Sequence, residues 1–139
     1  MTNKRETKVT VLIKHHLKQL RLPTMASECD GLADQAARDN QDHLAYLLKL
    51  TERELIERER KSAERRLKAA RFPAHKTLDQ FDFTAQPSVN KPLVAQLAAG
   101  DYLTNRENIL LVGPSGTGKS HLAISLAINA CSQGKRVRF

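Results

Sequence analysis

Eight residues carry the clearest chemistry in the sequence. Gly113, Pro114, Ser115, Gly116, Thr117, Gly118, Lys119 and Ser120 fit the spacing G-x-x-x-x-G-K-[ST] at every position. Glycines at these places let the backbone wrap closely, so that several N–H groups converge on one anion. The lysine is expected to reach the β- and γ-phosphates of a nucleoside triphosphate, and the Ser120 hydroxyl to ligate its magnesium. A helix beginning at the loop would turn its positive end toward the same charge. The ligand expected is therefore ATP with Mg2+. His121, just inside that helix, reads as a packing residue.

The flanking pattern suits such a loop. Ile109-Leu110-Leu111-Val112 is a short apolar run that predicts a parallel strand buried on both faces. Leu122, Ala123, Leu126, Ala127 and Ala130 fall on one helical face, and Gly134 ends the helix. Val137-Arg138-Phe139 reads as the start of a second strand. Upstream, Val9, Ile13, Leu17 and Leu20 predict a short helix closed by Pro23. Met25, Cys29, Leu32 and Ala36 mark a second, with Thr24 as its cap. The third is the longest element, capped by Asn40 or Asp42, with Leu44, Leu47, Leu48 and Leu55 as its apolar face; Phe72-Pro73 ends it. Residues 74–87 read as a connector. A further helix follows, with Asn90 as its cap and Gly100 past its end.

Charge is uneven along the 139 residues, whose formal net charge is +8. Residues 58–76 hold eight Lys/Arg against two acids, on a helix whose apolar stripe has faded after Ile56. Arg58, Arg65, Arg66, Lys68 and Arg71 are the candidates for phosphate contacts to DNA. The alternative is a solvated helix face paired internally by Glu59 and Glu64. Cys29 and Cys131 lie far apart, and the five histidines do not cluster at ligand spacing, so no structural metal is expected. No apolar run is long enough for a signal peptide or a membrane span, which predicts a cytoplasmic protein.

The run NILLVGPSGTGKSHLA, Asn108 to Ala123, resembles the IstB-like ATPases, AAA+ helper proteins of bacterial insertion sequences and relatives of the DnaC-type helicase loaders. So do Leu78 to Phe83, the pattern from Leu17 to Ala26, and the Arg/Glu-rich helix ending at Lys68-Ala69-Ala70-Arg71-Phe72. The N-terminal half favours the IstB type. The resemblance implies an α/β protein: a helical N-terminal region, 1–76, for DNA or partner binding, followed over 77–139 by the first βαβ unit of a P-loop AAA+ domain with an incomplete parallel sheet. It implies an ATP-binding helper that regulates a transposase on DNA and self-associates in its full-length form. Family members continue past this point with a Walker B acidic pair, a sensor residue and an arginine finger. The chain therefore reads as a fragment of a larger sheet, not expected to hydrolyse ATP alone. The other readings are a replicative helicase loader, a non-enzymatic DNA-binding or interaction remnant and, distantly, a small-molecule kinase.

Overall fold

The computed structural model describes residues 7–139. Its elements are α1 (Lys8–Gln19), α2 (Pro23–Arg38), α3 (His43–Ala70), a 3-10 turn (Leu78–Gln80), α4 (Lys91–Ala99), α5 (Asp101–Thr104) and α6 (Lys119–Ser132). The chain forms two compact units: the first ends at Lys61, and the second runs Ser62–Phe139. The division falls inside α3. No helix among the described residues is long and apolar enough to cross a membrane.

In the first unit, Met25, Cys29, Leu32 and Leu50 form the core, with Leu17, Leu22 and Tyr46 against it. The stripe expected on α2 is the buried one, Ala36 included. Thr24 does not cap that helix. Leu22 holds the cap position with Pro23 after it, and the first-turn N–H of Met25 is instead taken by the Glu54 carboxylate of α3 at 2.9 Å. This bond explains how a carboxylate that is only 4% exposed is tolerated. It also corrects the face of α3. Tyr46, Leu50 and Glu54 point inward at four-residue spacing, whereas Leu44, Leu47, Leu48 and Leu55 are exposed. Asp42 caps α3 through Oδ1, which accepts from the Ala45 N–H.

In the second unit, Phe81, Val94 and Leu122 form the core, and Leu78, Phe83, Val89 and Leu111 pack on it. Asn90 caps α4 by accepting from the Leu93 N–H, and Gly100 stops it at φ 90°. The end of α4 is tied to α6 because Asn129 Nδ2 and Gln133 Nε2 both donate to the Ala98 carbonyl.

The α/β expectation is overturned. Among the described residues there is no strand and no sheet, so neither the βαβ unit nor the incomplete parallel sheet is formed. Residues 109–112 are not paired with another segment, and they are not buried on both faces. Leu111 packs inward, but Leu110 and Val112 are 85% and 93% exposed. A strand exists only through hydrogen bonds to a neighbour. The one other candidate, Val137 to Phe139, does not supply them: its Phe139 N–H donates to the Ala70 carbonyl at the end of α3.

Candidate functional site

The loop from Gly113 to Ser120 leads directly into α6, whose first residue is Lys119 and whose N-cap is Gly118. Gly116 and Gly118 both have positive φ, 78° and 91°. That region costs an L-residue roughly 1–2 kcal/mol, so the turn depends on glycine at both points. The loop is braced internally. Thr117 Oγ1 donates to the Pro114 carbonyl at 2.8 Å. The Lys119 ammonium folds back over the loop and donates to the carbonyls of Gly113, at 2.7 Å, and Pro114. Ser115 and Ser120 are exposed, while Lys119 is half-buried.

The segment read as a connector supports this loop. Phe81 is buried and its ring lies against Gly118, so close that a Cβ on Gly118 would stand 2.6 Å from Cε2. Phe81 also meets Phe83 and His121 edge-on, at 4.8 and 5.3 Å between ring centroids. His121 Nε2 lies 2.9 Å from the Thr77 carbonyl oxygen, and Ser125 Oγ donates to the Lys76 carbonyl at 3.0 Å. His121 is thus a packing residue that joins the first turn of α6 to the 3-10 turn. That turn is closed by the Thr77 N–H donating to Gln80 Oε1. Beyond it, Asp82 Oδ1 accepts from the Thr84 hydroxyl and from the N–H groups of Thr84 and Ala85; these bonds hold its carboxyl below the usual range.

The five basic candidates are divided between the two units. In the first unit, Arg58 donates to the Arg21 carbonyl at 2.9 Å and lies 3.5 Å from the buried Glu54 carboxylate. In the second, Arg66 donates through Nε to the Cys131 carbonyl and through a terminal nitrogen to Ser62 Oγ. A guanidinium at the C-terminal carbonyls of α6 complements that helix end. Burial raises the Cys131 thiol pKa, and Arg66 opposes this weakly. Arg65 and Arg71 line an open cleft of about 760 Å³, which Arg136 and Arg138 also line. Lys68 is exposed outside it. Sequence reasoning passed over Arg136 and Arg138. The basic run Lys135-Arg136-Val137-Arg138 is the available signal, but the overlapping Val137-Arg138-Phe139 reads as the start of a strand.

The family model described as IstB-like ATP binding protein matches residues 15–139. The chain belongs to the IstB-like ATP-binding family. Two similar proteins of this family, both named for ATP binding, come from insertion sequence IS5376 of Geobacillus stearothermophilus and from insertion sequence IS21 of Pseudomonas aeruginosa. The first is 37% identical over 91% of this chain and 51% of its own length, the second 38% identical over 88% and 46%. A Sinorhizobium fredii protein, named for ATP binding in an insertion sequence, is 43% identical over 88% of this chain and 42% of its own. This IstB-like chain thus spans about half the length of the curated relatives it matches.

Proposed function

We propose that this chain binds ATP with magnesium at Gly113 to Ser120 and serves as an ATP-binding helper of DNA transposition, acting with a transposase on DNA. The observation that carries the reading is the loop itself: two left-handed glycines and a lysine at the first position of a fourteen-residue helix. Membership of a family named for ATP binding in insertion sequences supports it.

The residues fit the group on physical grounds. Gly118 has no room for a side chain, because Phe81 fills the space behind it. The backbone can therefore face a ligand only on its open side. Backbone N–H groups of the loop and of the first turn of α6 would hold phosphate oxygens. Lys119 would exchange the Gly113 and Pro114 carbonyls for the β- and γ-phosphates, a gain because an ammonium binds an anion more strongly than a neutral carbonyl. The exposed Ser120 hydroxyl would complete the coordination of magnesium, which neutralises phosphate charge when bound. Transposase and DNA are the partners, and self-association belongs to the full-length protein.

The test is strand transfer by the transposase of the same insertion sequence, measured with this protein present. Stimulation that requires ATP and is lost with Lys119→Ala is expected. Stimulation equal with and without nucleotide would remove ATP from the account.

A further inference from the structure

The second unit carries a basic cleft that the glycine loop does not use. Its floor is the end of α3, with Arg65 and Arg71, and its wall is the stretch after α6, with Arg136 and Arg138. No Asp or Glu lines it. The four arginines are exposed, and among the described residues none of them has an acidic partner.

The wall is fixed to the floor at both ends. At one end, Gly134 turns the chain with φ 86°, the Lys135 N–H donates to the Ala130 carbonyl, and Arg66 ties α3 to the Cys131 carbonyl. At the other, the Phe139 N–H donates to the Ala70 carbonyl at 3.0 Å, and the Phe139 ring meets Phe72 edge-on at 5.9 Å. Arg71 itself sits at φ 57°, the left-handed turn that closes α3. Four arginines from two stretches of chain that lie far apart in sequence thereby line one cleft. Like charges left together without acids repel, and a polyanion seated among them relieves that repulsion beyond what water and salt do.

We infer that this cleft is the seat of a nucleic-acid phosphodiester backbone, with Arg65, Arg71, Arg136 and Arg138 as its phosphate contacts and Arg66 as the strut that shapes it. The inference rests on the reading that DNA is a partner. An arginine cleft without a stacking aromatic or a buried polar side chain reads charge and spacing, not base sequence. Binding is therefore indifferent to sequence and steep in salt.

The test measures retention of a fluorescent duplex by the full chain across a salt series, for the parent, Arg136→Gln/Arg138→Gln, Arg65→Gln/Arg71→Gln, and a control, Lys18→Gln/Lys49→Gln, in the first unit. Each cleft pair should weaken binding by about tenfold or more at low salt and flatten the salt slope by about two. The control should match the parent, and replacing the pair with lysines should restore most of the loss. Thermal melts confirm that each variant folds. If the parent retains no duplex, both DNA as partner and the cleft fall. If the parent binds and the cleft pairs match it, only the cleft falls. Equal retention of polyglutamate and duplex at matched charge would also overturn it, since the surface would then serve acidic protein.

Discussion

The Phe81 ring packs against the Cα of Gly118, leaving 2.6 Å where a Cβ would stand, although 36 residues separate the two in sequence. A segment without regular structure, apart from one 3-10 turn, thus sets the backbone of the last loop residue before α6. Loop shape and the second core are therefore one structure, because Phe81 belongs to both.

This contact predicts different costs at the two left-handed glycines. Gly118→Ala combines left-handed strain with a collision against an aromatic ring and should cost about 2 kcal/mol or more. Gly116→Ala has the same kind of strain but open space around it, and should cost about 1 kcal/mol. Thermal unfolding of both variants decides. Equal losses would mean that Phe81 does not press on Gly118.

Phe81→Ala should destabilise the second unit by about 3 kcal/mol, as expected for emptying a buried aromatic position. It should also weaken nucleotide binding, while Phe81→Leu recovers part of both. A variant that loses stability but binds nucleotide as the parent does would separate the core from the loop.

Arg65 and Arg66 are neighbours with opposite expectations. Arg66→Ala removes hydrogen bonds to the Cys131 carbonyl and Ser62 Oγ and should cost about 2 kcal/mol. Arg65→Ala should leave the melting temperature within about one degree of the parent, as surface changes usually do. Equal melting temperatures for the two would remove the strut role of Arg66.

Glu57 gives a pH prediction. Its carboxyl is held at a pKa of about 2, chiefly by the hydrogen bond from Arg60, with Lys61 adding to it. A folded pKa below the ordinary 4.5 means that its contribution is present above that value and lost as pH falls toward 2. The group lies at the surface, so salt should weaken the effect. A carboxyl NMR titration should place the Glu57 midpoint well below that of an unpaired glutamate. A midpoint near 4.5 would show that the Arg60 contact does not persist.

Sequence patterning captured the parts of the fold that local chemistry decides. Asp42 and Asn90 cap helices, Gly100 and Gly134 stop them, and the α2 stripe faces the core, because each depends on a few adjacent residues. The inward face of α3 was misread because four leucines outweighed Glu54, a carboxylate whose burial is offset by the Met25 N–H from another helix and by Arg58 one turn along its own. The strand at Ile109 to Val112 was expected from its apolar run, but pairing is a property of two segments, and Val137 to Phe139 bonds elsewhere. For the candidate site, residue spacing marked the glycine loop, whereas its support by Phe81 and Thr77 is a long-range packing fact. The basic candidates were drawn from one stretch of sequence, so the division of labour between Arg66 and Arg65, which depends on the distant Cys131 carbonyl, was out of reach, whereas Arg136 and Arg138 stood in a legible basic run that was passed over.

Calorimetric titration of the full chain with ATP tests the central claim most directly, with and without magnesium and for the parent and Lys119→Ala. Saturable binding of one ATP per chain, tightened by magnesium and weakened at least tenfold by Lys119→Ala, is expected from the loss of a charge-assisted phosphate contact of roughly 1.5–3 kcal/mol. No binding by the parent, or equal binding by parent and variant when both are folded, would contradict the assignment of Gly113 to Ser120 as the nucleotide site.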